Sequence, residues 1–236
     1  VSIDSRSKGK RGEREVVELL RRHGIPARRG VQYSGGPGTP DVTHALSPIV
    51  HFEVKLVSKL ELEDWYDQAF NDGVYRVPVV LHRLSSRKVN TPWRATLSAA
   101  HLAMLYGRED HMAVTHGDPT YVAEYAADLP VASRVVQSDA LRFEKELAAI
   151  LASAAPGRPA ALFHARREHD ALWMASMEAG SFLEHALLPY AVREYGYRPT
   201  FGTSEYTPEM EREYDRFWQT HRAKLAENFP LFKAVD

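Results

Sequence analysis

Asp41, Glu53 and Lys55 lie within one short segment, Pro40–Lys55, and are the residues whose types and spacing could do chemistry. The alternation after Pro48 predicts a strand with Val50, Phe52, Val54 and Leu56 on one face and Ile49, His51, Glu53 and Lys55 on the other. Such a strand has a core side and an open side, so Glu53 and Lys55 share the open side. A hairpin turn centred on Ser47 would set Asp41 opposite Glu53, with Cβ atoms about 5 Å apart. Two carboxylates that close repel unless one is protonated or a cation lies between them. Oxygen ligands at this spacing suit Mg²⁺ or Mn²⁺. His51, on the same face as Glu53, is a lesser candidate that either touches substrate or fills the sheet edge.

A helix predicted over residues 8–23, with Val16, Val17, Leu19 and Leu20 apolar and Gly24 as its stop, must position a third carboxylate. Glu13 lies four residues before Val17 and seven before Leu20, on the buried face, where a carboxylate needs a reason. The plain reason is an acid favoured near the start of a helix by its dipole. Lys8, Lys10, Arg11 and Arg14 crowd the same end, where cations are unfavourable unless an anion binds there. That cluster reads either as a solvated basic tip or as a phosphate site. Arg21, Arg22, Arg28 and Arg29 extend the basic surface.

The elements around these residues predict an α/β plan. Residues 26–33 read as a strand and 34–40 as a Gly/Pro-rich loop able to close over a substrate. Residues 60–72 form an acidic amphipathic helix, 76–83 a buried strand and 91–97 a further strand, and Ser98 caps a helix to about Tyr106. This gives a mixed sheet flanked by helices. Beyond Gly107 the pattern changes. Helices are predicted over 139–154, over 160–188 up to Pro189, and from Thr207-Pro208 to about Asn228. The chain therefore divides into residues 1–107 and an all-α module over 108–236, with no internal repeat. Met112 could even be the start of a separately encoded protein. His164, Glu168, His169, Glu178, Glu184 and His185 do not match the Glu-x-x-His spacing of di-iron bundles and read as charged helix faces.

The chain has 236 residues, no cysteine and a net charge of −1. Absence of cysteine excludes disulfides, thiolate zinc sites and cysteine nucleophiles. No apolar run reaches about eighteen residues, so no membrane span is predicted and a cytoplasmic location is expected. The small net charge hides a split: residues 1–107 are net positive and 108–236 net negative. The first part suits a polyanion; the second does not.

Glu13 on a first helix, then Pro40-Asp41, then Glu53-x-Lys55, resembles the PD-(D/E)xK nuclease superfamily, the restriction-endonuclease-like fold. The run Lys8-Gly9-Lys10-Arg11-Gly12-Glu13 is similar to the first helix of archaeal-type and phage Holliday junction resolvases. Ser34-Gly35 resembles the Ser-Gly of their loop before the catalytic Asp, and Gln68 sits where many superfamily members carry a glutamine. The resemblance covers residues 8–106 and implies a Mg²⁺- or Mn²⁺-dependent DNA endonuclease. In it, Asp41, Glu53 and Glu13 would hold the metal, and Lys55, with Gln68, would serve the attacking water. Lys8, Lys10, Arg11, Arg14, Arg28, Arg29 and Ser34 would hold DNA. It further implies branched or junction DNA as substrate and a homodimer; the added helical module would then suit a protein partner. A restriction or repair nuclease acting on duplex, flap or single-stranded DNA is the alternative within this chemistry. A non-catalytic DNA-binding or assembly protein keeping the fold is the alternative outside it.

Overall fold

Apolar residues three and four apart build the first helix, α1 (Ser5–Arg22), whose Val16, Val17 and Leu20 are buried. A computed structural model describes residues 5–30, 40–73, 76–85, 91–114, 118–136, 140–165, 172–202 and 206–228. After α1 come β1 (Ala27–Arg29), β2 (Val42–His44), β3 (Val50–Val57), α2 (Leu62–Asp72), β4 (Val77–Leu84), β5 (Arg94–Ser98) and α3 (Ala99–Leu105). Ser98 caps α3 as expected, its side chain accepting from the His101 N–H. The second half supplies α4 (Pro119–Ala127), β6 (Ala132–Val136), α5 (Ala140–Ser153), β7 (Ala160–Ala165), β8 (Trp173–Glu178), α6 (Ala179–Phe182), α7 (Leu188–Tyr195), α8 (Pro208–Thr220) and α9 (Arg222–Asn228).

The expected α/β plan with a mixed sheet is present. Six strands run in the order β3-β4-β5-β8-β7-β6, with β3·β4 and β7·β6 parallel and the other pairs antiparallel. The expected all-α second half is overturned, because β6, β7 and β8 extend the same sheet. A single long helix over 160–188 is likewise replaced by β7, β8 and the start of a helix. The residues responsible, Ala160-Ala-Leu-Phe in β7 and Trp173-Met-Ala in β8, are apolar on both faces and rich in helix formers. A central strand covered on both sides shows no alternation, so periodicity cannot separate it from a buried helix. The helix also does not stop at Pro189. A π-helical turn over Leu183–Leu187 joins α6 to α7 and carries the chain past the proline. Wider i→i+5 turns relieve the missing N–H and the ring clash there.

The composition boundary at 107/108 falls between neighbouring strands of one sheet. Thr96 pairs with Ser176 across β5·β8, and a single apolar core runs from Val16 to Leu225. A smaller core under α2 and α5 covers the other face, with Trp65, Tyr66, Val80, Phe143, Leu147 and Leu162. The C-terminal helices return to the first half: Trp218 Nε1 donates to the Ala45 carbonyl at 2.7 Å, and Arg28 is held by Glu211 at 3.0 Å.

The sheet has an internal twofold pattern that the sequence does not display. In order, β3-α2-β4-β5-α3 is matched by β6-α5-β7-β8-α6, and the two sets meet at the antiparallel β5·β8 pair. The registers agree residue by residue: Val80↔Thr96 and His82↔Arg94 on one side correspond to Leu162↔Ser176 and His164↔Met174 on the other. A buried polar chain spans the centre, from His82 to Thr96 (2.9 Å), Thr96 to Ser176 (2.6 Å) and Ser176 to His164 (3.0 Å). These four buried side chains bond to one another in the middle of the sheet, with His82 Nδ1 left without a partner among the described residues.

Candidate active site

The expected hairpin between Asp41 and Glu53 does not form. β2 pairs with β1, through Ala27↔His44 and Arg29↔Val42, while β3 pairs with β4. Residues 45–49 are too apolar for a simple exposed turn: Ala45, Leu46 and Ile49 are buried, and a coil of bonds such as Val50 N–H to Leu46 O (3.1 Å) folds them inward. β1 then captures the ladder edge of β2.

Asp41 reaches Glu53's neighbourhood by another route. β3 is an edge strand of the six-stranded sheet, and the Asp41 carboxylate accepts from the Val54 N–H at 3.0 Å. The bond fixes the carboxylate and satisfies a donor on that edge. Burial raises the Asp41 pKa, opposed by that N–H bond, while the nearby Glu13 charge raises it and Lys55 lowers it.

Glu53 and Lys55 lie on the face of β3 that α2 covers. This face is closed rather than open, and Glu53 is only 5% exposed. The Lys55 ammonium is 2.6 Å from Glu53 and donates to Gln68 Oε1 at 2.8 Å. Burial first, and then repulsion from Asp41, push the Glu53 pKa up to about 7 despite the Lys55 bond and charge. On the opposite face of β3, α1 packs so closely that a Cβ at Gly12 would lie 2.9 Å from Leu56 Cβ. That contact sets the position of Glu13, whose carboxylate takes two N–H bonds from Arg29, at 2.6 and 2.8 Å. Glu13, Asp41, Glu53, Lys55 and Gln68 are thus gathered into one neighbourhood.

The expected DNA-binding cations are less uniformly available. Arg29 is committed to Glu13, and Arg28 to Glu211. Lys8 donates to the Ser85 carbonyl and Arg11 to the Ser85 hydroxyl. Lys10 and Arg14 hold no ion pair or hydrogen bond with the described residues, and Arg14 is exposed. Ser34 and most of the loop expected over the entrance lie outside the described residues.

Two further groups join the site. His51 is 2% exposed, and neither ring nitrogen has a hydrogen-bond partner among the described residues. Burial and the nearby Arg76 charge lower its pKa to about 4, so its ring is neutral at physiological pH. Asp72, at the end of α2, presents a carboxylate so placed that single ligand atoms of His51, Glu53 and Asp72 lie within 4.8 Å of one another. The sequence carried a signal for both: His51 is two residues from Glu53 on a strand, and Asp72 is four from Gln68 on a helix. Asp41 repels Glu53 electrostatically, but among the described residues neither Asp41 nor Glu13 belongs to that three-residue ligand group. Among the described residues, no helix is long and apolar enough to cross a membrane. Searches against family models, curated proteins and solved structures return no match to this chain.

Proposed function

We propose that this chain is a divalent-metal-dependent endodeoxyribonuclease of restriction-endonuclease-like fold, acting on branched DNA such as a four-way junction. The observation that carries the reading is the convergence of Asp41, Glu53, Lys55 and Gln68 from the β2 entrance, β3 and α2 into one electrostatically loaded site. Asp41 and Glu53, with Glu13 beside them, would hold Mg²⁺ or Mn²⁺, which when bound neutralises phosphate charge and lowers the pKa of a bound water.

The remaining work falls to the chain's own groups. The Val54 N–H orients the Asp41 carboxylate. Gln68 and Glu53 hold the Lys55 ammonium between them, which leaves its third N–H to serve a water or the developing phosphorane. Arg29 restrains Glu13 in one orientation. Lys10 and Arg14, one turn apart in the interior of α1, are placed to take flanking backbone phosphates, which position the DNA without reading its sequence.

The test is a cleavage assay in Mg²⁺ and in Mn²⁺ on four-way junction, flap, linear duplex and single-stranded DNA, with Asp41→Ala and Lys55→Ala beside the wild type. Cleavage of branched substrates that both substitutions abolish is the expected result. Binding with no cleavage in either metal would leave a DNA-binding protein, and preference for linear duplex would remove the branched-DNA assignment.

A further inference from the structure

We propose that His51, Glu53 and Asp72 form a second cation site that selects a first-row transition ion over Mg²⁺. A buried imidazole with two orphan nitrogens is costly unless something binds it, and here it faces two carboxylates. Arg76 is the cation whose charge acts on His51, yet its guanidinium is spent on the carbonyls of Asp72 and Gly73, at 3.2 and 2.9 Å. The Asp72 carboxylate has no ion pair with a described residue. Lys55 engages Oε1 of Glu53, which leaves the other oxygen for a cation. Gly73 seats the end of α2 directly on His51: a Cβ there would lie 3.3 Å from His51 Cβ. Ligand atoms at about 2.1 Å from one ion stand roughly 3 to 4.2 Å apart, so a small movement of the half-exposed Asp72 completes the set. One nitrogen and two carboxylates favour Mn²⁺, Co²⁺ or Zn²⁺, whereas an all-oxygen set suits Mg²⁺.

The experiment adds Mn²⁺ to the whole chain and reads binding by titration and by electron spin-echo modulation, which reports an imidazole nitrogen on the ion. The wild type should show that nitrogen, His51→Gln should lose it, and Asp72→Asn, a change at a half-exposed position, should weaken binding at least about tenfold. Asp41→Asn should keep the nitrogen signal. Mn²⁺ bound without nitrogen coupling, or bound equally by wild type and Asp72→Asn, would overturn the site. The readout is binding, so it stands whether or not DNA is cut.

A separate observation, the twofold pattern of the sheet, carries a second inference. The structure assigns to residues 108–236 the place of a second subunit whose active site has been lost. By the strand registers, the positions of His51, Glu53 and Lys55 are occupied in β6 by Ala132, Arg134 and Val136. Arg134 is paired with Glu146 of α5 at 2.6 Å, so even its charge is neutralised. The β5·β8 junction, sealed by the Thr96–Ser176 bond, is then an interface built within one chain. Resting on the nuclease reading, this predicts one catalytic centre per chain and one cut per encounter; paired cuts at a junction would need two chains.

Supercoiled plasmid, treated with the full chain whose mass is read by analytical ultracentrifugation, tests this. A monomer that accumulates open circle before any linear form is the expected result. Linear DNA appearing at the same initial rate as open circle would overturn the single-centre inference while leaving the nuclease reading intact. No cleavage in either metal would overturn both.

Discussion

Replacing Glu53 by Gln should make the protein more stable at pH 8, although it removes an ion-paired residue from the site. The Glu53 carboxyl is raised from its ordinary value of 4.5 to about 7, by burial and by Asp41, with the favourable Lys55 contact already opposing that rise. A carboxyl raised by folding gives its full contribution to stability below pH 4.5, where both states are protonated, and loses it as pH rises through about 7. At about 1.4 kcal/mol per pKa unit, a rise from 4.5 to about 7 makes ionised Glu53 cost the fold about 3 to 3.5 kcal/mol at pH 8. A Gln keeps the shape without the charge and should recover most of that, raising Tm by about 5–10 °C for a chain of this size. The assay is thermal and urea unfolding of both proteins from pH 4.5 to 8.5 in chelator.

Buried His44, His51, His82 and His164, all held below their usual pKa by burial, impose a different slope. Their contribution is present above pH 6.5 and is lost as pH falls through the lowered values, equally in both proteins. The difference between wild type and variant therefore isolates Glu53: near zero at pH 4.5 and growing toward pH 8. Added Mn²⁺ should close the gap by stabilising the wild type, about 2.7 kcal/mol at a hundredfold excess over Kd. A variant no more stable than wild type at pH 8, or a gap that does not change with pH, would refute this account of the site's electrostatics.

Ser176→Ala breaks the centre of the buried polar chain, leaving His164 and Thr96 each short of a partner; unfolding in denaturant should show a loss of about 1–3 kcal/mol. Glu211→Ala frees Arg28 from its partner, and DNA affinity measured against salt should rise at low ionic strength, with the log–log slope steeper by about one. Gly12→Val forces α1 away from Leu56, so both stability and the Glu13 position should suffer; cleavage falling much further than melting temperature would show that the contact positions the site.

The candidate-site residues could be picked out in the sequence because their types and local spacing single them out. Glu53 and Lys55 alternate on one strand, Gln68 sits on the helix that follows, and Ser98 and Thr207 announce helix starts through their own side chains. The mixed α/β plan of the first half followed from the same local periods. What joins Asp41 to Glu53 was not local: the turn predicted a ladder, but burial of Leu46 and Ile49 and competition from β1 replaced it with a single bond to the Val54 N–H. His51 looked like an open-face residue until α2 was laid over it. The second half was misread for a related reason. Strands β7 and β8 are buried on both faces, so their residues carry no period of two, and the β5 partner of β8 lies about 80 residues earlier in the chain. The sequence by itself determined which groups could do chemistry and most of the helices that carry them. Only the tertiary structure decided that the two halves share one sheet, that its register repeats about a central Thr96–Ser176 bond, and that the β6 position matching Glu53 carries Arg134 instead of an acid. Those are properties of pairings between distant strands, which no local pattern encodes.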